Sequence, residues 1–138
     1  MRQVKRWRYY CDHCKKVSGS KHVMEKHERG CTNNPERVCG LCRMAENKQE
    51  HINTLKAALF TDINNFQKKN GHDDTRPILI KNLRAVANNC PACILAAVRQ
   101  SQDENGWYIG FDYAEEIILF WAAHNKGLKR IHVHHDIF

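Results

Sequence analysis

Proline is scarce in this chain, with three residues in 138, and nowhere does a run of about 18 apolar residues occur. The missing run excludes a membrane-spanning helix read from hydropathy. The opening stretch, MRQVKRWRYYC, is basic but has no apolar centre. It does not read as a secretory signal, so the expected location is cytoplasmic or otherwise intracellular. Several catalytic signatures are missing too. There is no Walker loop and no G-x-S-x-G elbow, and no histidine is followed two residues later by glutamate. The order Cys90-Pro91-Ala92-Cys93 is C-P-x-C, whereas the zinc deaminases carry P-C-x-x-C. These absences make binding the expectation and catalysis not.

Acidic residues are in short supply in one region only. Residues 1–45 hold eleven Lys/Arg against four Asp/Glu, whereas residues 46–138 hold eleven of each. The whole formal charge of +7 therefore sits in the first third. A focused basic segment points to an anionic partner, with a merely soluble surface as the plainer alternative.

What the chain has in quantity is cysteine. Cys11, Cys14, Cys31, Cys39, Cys42, Cys90 and Cys93 are present, and six of them form three C-x-x-C pairs. Without a secretory signal this spacing indicates metal more than disulfides, and an odd count cannot close as disulfides alone. Two four-ligand sets absorb every cysteine: Cys11, Cys14, His27 and Cys31, then Cys39, Cys42, Cys90 and Cys93. Each set suits a structural zinc ion, which prefers four tetrahedral nitrogen and sulfur donors, so two zinc ions are expected.

In the first set a tight C-x-x-C turn brings two thiolates together, while His27 and Cys31, at i and i+4, share one helix face. The stretch YYCDHCKKVSGSKHVMEKHERGC, residues 9–31, resembles a C2H2-type zinc finger in its C2HC variant. The resemblance covers about 23 residues and implies a ββα-like unit with Tyr9 and Met24 in its small core. Ser18 stands where that family carries a second core aromatic, so the finger core is expected to lean on the rest of the protein. His13 and His22 read as bystanders, with His22 an alternative ligand.

The helix positions that face the DNA major groove in that family fall on Ser20, His22, Val23 and Lys26. Arg and Asn, the strongest base readers, are absent from them, and one finger spans only about three base pairs. Phosphate contact is the better expectation, through Arg8, Lys15, Lys16, Lys21 and Lys26. Trp7, Tyr9 and Tyr10 interleave with these basic residues, a mixture that suits a nucleic-acid backbone or unpaired bases. The close alternative is a protein-interaction adaptor or inhibitor that uses the finger and the following module as its surface.

The second set joins two knuckles separated by 47 residues. They share one ion if helices over 46–69 and 77–89 return the chain. Ile52, Leu55, Leu59, Ile63 and Phe66 supply the apolar stripe of the first helix, and Pro77 fits the first turn of the second. Gly40 is expected to permit the tight knuckle turn, and Pro91 to stiffen the second knuckle. A knuckle followed by a helix resembles treble-clef and ribbon-type zinc modules by analogy. Two alternatives remain: a redox C-x-x-C, or separate metal binding with His51 or His72.

The expected architecture is a small zinc-stapled α+β protein, mostly helical. A basic finger (1–31) precedes a helical module (32–138), with the turn-rich TNNPERV, residues 32–38, as connector. Residues 113–125 read as a buried helix with Ile117, Ile118, Phe120 and Trp121 in the core, and the C-terminal segment as a short strand. His132, His134, His135 and Asp136 there, with His124, form a candidate separate metal site. That would make a small metal-dependent nuclease the third reading, against a plain polar tail.

Overall fold

The computed structural model describes residues 1–71, 74–101 and 108–124. It is a small α+β protein: one two-stranded antiparallel sheet and, among the described residues, six helices. The candidate tail site at His132, His134 and His135, the expected C-terminal strand and His72 lie outside the described residues. No helix among the described residues is long and apolar enough to cross a membrane.

The chain opens with a hairpin of β1 (Tyr9–Tyr10) and β2 (Val17–Ser18), followed by α1 (Lys21–Gly30). Tyr9 pairs with Ser18 and Tyr10 with Val17. Ser18 has a turn-forming role, because its Oγ accepts from the Ser20 N–H at 3.1 Å. Ser20 in turn caps α1, with its Oγ accepting from the Val23 N–H at 3.3 Å. Two serines thus set the start of the helix, at the cost of an aromatic in the core. That core is small: Met24, Cys11 and Cys31 are buried, and Tyr9 and Cys14 pack against them.

The helical part contains α2 (Gly40–Met44), α3 (Ile52–Asn70), α4 (Lys81–Val86), α5 (Pro91–Ser101) and α6 (Tyr113–His124). Helix α3 packs against α4 and α5, and α6 against α5. Ile52, Leu55, Leu59 and Ile63 are buried along one face of α3, with Phe66 partly so, as the periodicity predicts. They meet Ile80, Leu83, Ile94, Ala96 and Ala97 from the other elements.

The expected boundaries need correction at four places. Helix α3 starts at Ile52, six residues later than the charge-rich lead-in suggests, because His51 caps it through Nδ1. Pro77 lies outside any helix. It precedes Ile78, which forms a parallel bridge with Ile109. The Ile78 N–H donates to the Tyr108 carbonyl (2.8 Å), and the Gly110 N–H to the Ile78 carbonyl (2.9 Å). A Cβ on Gly110 would sit 3.2 Å from the Ile78 carbonyl oxygen, a tight contact that glycine avoids.

Helix α4 starts later than expected, at Lys81, and carries no capping side chain of its own. Its cap comes from Asp62, buried in α3. Oδ1 accepts from the Asn82 N–H (3.0 Å) and from Asn82 Nδ2 (2.9 Å), and Oδ2 from the Leu83 N–H (3.0 Å). Finally, α6 is not a buried helix. Ile118 and Leu119 are exposed, while Ile117, Phe120 and Trp121 are half-buried.

The remote cap yields a prediction. Asp62→Ala leaves the buried Leu83 N–H and the part-buried Asn82 N–H without this acceptor and should cost about 2 kcal/mol, read from urea unfolding. An unchanged midpoint would show that α4 does not depend on Asp62.

Candidate metal centres

Every cysteine is free, and the eight proposed donors fall into two groups. Within each group, Cys11–Cys14–His27–Cys31 and Cys39–Cys42–Cys90–Cys93, the ligand atoms all lie within 4.8 Å of one another. These are clusters positioned for metal binding.

The first cluster is assembled from the hairpin turn and from α1. The Cys11 N–H donates to the Lys16 carbonyl (3.1 Å) and closes the knuckle. The His13 N–H points at Cys11 Sγ and the Lys16 N–H at Cys14 Sγ, both at 3.4 Å. His27 Nε2 approaches Cys14 Sγ to 3.2 Å. Glu28 ties the knuckle to the helix, its Oε2 accepting from the Asp12 N–H at 2.7 Å. Burial opposes ionisation of Cys14, but the Lys16 N–H and the Cys11 and Cys31 thiols outweigh it and lower its pKa. Cys31 is pushed up to about 11, chiefly by burial. His22 is exposed and belongs to neither cluster.

The second cluster is fully buried. Cys39 precedes α2 and caps it, with its Sγ accepting from the Cys42 N–H at 3.4 Å. Gly40 opens α2 with an ordinary negative φ, and a Cβ there would meet nothing within 4 Å, so this turn does not need glycine. Cys90 precedes α5, whose first residue, Pro91, suits a first turn because its missing N–H has no partner to lose. Cys93 lies within that first turn. Asn88 and Asn89, both at positive φ, turn the chain into this knuckle.

The sulfur spacing fits an ion. Cys39 and Cys90 Sγ are 3.5 Å apart, as are Cys42 and Cys93 Sγ. A disulfide would require about 2.05 Å. A tetrahedral ion with metal–sulfur bonds near 2.3 Å sets its sulfurs about 3.8 Å apart. His51 is exposed and occupied as the cap of α3, outside the cluster.

Sequence reasoning overlooked two residues beside this site. Arg37 is 7% exposed, and its Nη1 donates to Cys93 Sγ at 3.5 Å, while its Nε finds no partner among the described residues. Gln49 braces the same corner, taking the Cys39 N–H on Oε1 (2.6 Å) and donating Nε2 to the Arg37 carbonyl (2.8 Å). A buried guanidinium needs a counter-charge. A single thiolate supplies one, and four thiolates around a divalent ion carry a net −2, so the loaded site also meets that need. The donor set and its buried cation therefore fit a metal together. A lone arginine in a polar connector gives no sequence signal of this.

No family model, no curated protein and no solved structure matches the chain.

The thiol environments give a pH prediction. Hydrogen bonds from Cys90 and Cys93 lower the pKa of Cys39. Cys42 is pushed up to about 12, by burial first and then by charge at Cys93 and Cys39. Cys90 and Cys93 are raised too, first through their bonds to Cys39. The metal-free pocket thus holds one thiolate and three thiols near neutrality. A raised pKa favours the protonated form, so protons compete with metal and affinity falls as pH falls. Between pH 6 and 8 the log of apparent affinity should rise by about three per pH unit, measured by competition with a chromogenic chelator. A flat profile would mean that metal binding does not displace protons from these thiols.

Proposed function

We propose that both clusters hold structural zinc, that residues 9–31 form a C2HC finger of the C2H2 type, and that this finger associates with nucleic acid through phosphate contacts. Each donor set is complete with four protein ligands and rich in thiolate, which suits a structural ion and leaves no position for a catalytic water. When bound, the ions supply cross-linking and local charge, while this chain's own residues supply the contact surface. Binding, not catalysis, is the function we assign.

The observation that carries the nucleic-acid reading is the exposure of the basic set. Arg8, Lys15, Lys16, Lys21 and Lys26 are all exposed, and none takes part in a salt bridge found among the described residues. Counting three thiolates on one Zn²⁺ and four on the other lowers the formal charge by three, leaving about +4, so the basic surface survives metal loading. Recognition of bases by α1 has little support. Ser20 is committed to its cap, and Val23 is apolar and exposed. Lysines bring point charges without the bidentate fork that reads guanine, so contact with the backbone irrespective of sequence is the expected mode.

Two measurements test this. Native mass spectrometry should find two zinc ions per chain, and Cys90→Ser should lose one of them and much of the helical signal. Metal in small zinc modules supplies on the order of 10 kcal/mol of folding free energy. An unaltered melt in that variant would show that Cys39, Cys42, Cys90 and Cys93 share no ion. Replacing any two of Lys15, Lys16, Lys21 and Lys26 with Gln should weaken binding to unrelated oligonucleotides equally. It should also reduce the slope of log K against log salt by roughly 2 on duplex DNA, or somewhat less on single strands. Absence of binding at low salt by a fully zinc-loaded chain would favour the protein adaptor instead.

A further inference from the structure

We infer that the finger's partner is single-stranded nucleic acid, held at the hairpin with the exposed rings of Trp7 and Tyr10 as stacking platforms. This rests on the nucleic-acid reading above and narrows it to unpaired strands.

Successive side chains of a strand point to opposite faces. Tyr9 packs inward against the Cys11, Met24 and Cys31 core. Tyr10 therefore faces outward, and it is 64% exposed. Its partner in register, Val17, is exposed beside it. Trp7, two residues before the strand, is 82% exposed. The finger leaves its one tryptophan in solvent, and of its three aromatics only Tyr9 packs inside.

Cations flank Trp7. Arg6, Trp7, Arg8 and Tyr9 line a shallow cleft of about 520 Å³ together with Gly19, whose missing side chain leaves space there. Lys15 and Lys16 follow on the same hairpin and are exposed. Basic side chains track a phosphate backbone, and flat rings between them accept bases, since every base has a π face. A duplex keeps its bases stacked on one another and offers these rings nothing equivalent. Exposed Trp, Tyr and Arg also suit a protein interface. The local excess of positive charge favours the polyanion.

The test uses the full chain loaded with zinc. Labelled oligo(dT) and oligo(U) of twelve nucleotides and a duplex of the same length are compared by fluorescence anisotropy at one salt concentration. Single strands should bind more tightly than the duplex, and the two single-stranded arms show whether deoxyribose or ribose is preferred. Trp7→Ala and Tyr10→Thr should each weaken single-strand binding by about tenfold or more and leave duplex binding within about twofold. Trp7→Phe should restore most of the loss, because a phenyl ring still stacks. Trp7 lies outside the strand and the core, and zinc content by mass confirms that each variant is folded. Tryptophan fluorescence should be quenched by oligo(dT) in the wild type, and less so in Trp7→Phe.

Single-strand affinity unchanged in both aromatic variants overturns the inference, as does tighter binding to the duplex. If the lysine variants lose affinity while the aromatic variants do not, the phosphate reading stands and the stacking surface is discarded. If the wild type binds none of the three probes, both readings fall and a protein partner takes their place.

Discussion

Four sulfurs meeting in a buried pocket is the constraint on which the rest of the molecule depends. Cys39 and Cys42 are brought against Cys90 and Cys93, so the 47 residues between the knuckles must leave and return to one point. Helix α3 runs out, the chain turns, and α4 leads back to the second knuckle. Most of the apolar core lies within that loop. Closing a loop of this length costs entropy, so a cross-link at its neck would offset part of that cost. Arg37 belongs to the same constraint: a cation buried there is tolerable only beside sulfurs that carry charge.

The sequence made the donor sets legible because ligand chemistry is local. A C-x-x-C turn converges two sulfurs whatever surrounds it, and i, i+4 residues share a helix face by geometry. The apolar stripe of α3 was legible for the same reason. What could not be read depended on partners distant in sequence. Asp62 looks like a flaw in an apolar face until the start of α4, twenty residues on, is placed against it. Pro77 fits a helix start equally well, and only the approach of Ile109 to Ile78 keeps it extended. Gly40 invited a conformational explanation that its backbone does not need. The apolar run in α6 suggested burial, but too few of the described elements pack on it to cover all its faces.

The hairpin and α1 show how a polar residue beside a small core is put to use. Ser18 exchanges core volume for a turn that places Ser20, and Ser20 caps α1. The C-terminal end of the same helix is secured from outside. Asn34 Nδ2 donates to the Glu28 carbonyl at 2.8 Å, and the Val38 N–H to the Arg29 carbonyl at 2.8 Å. The connector that supplies these groups is itself held by α5. Gln100 Nε2 donates to the Thr32 and Asn34 carbonyls (2.8 and 3.1 Å), and Arg99 Nη1 to Thr32 Oγ1 (2.9 Å).

That pinned connector has a thermodynamic consequence for anything the hairpin binds. A finger on a loose tether gives up its freedom to swing each time it docks, and that loss is subtracted from its affinity. Here the swing is removed during folding, by bonds from α5 to residues 32 and 34. The helical part would thereby act as a splint for any ligand that the hairpin takes, without touching that ligand itself.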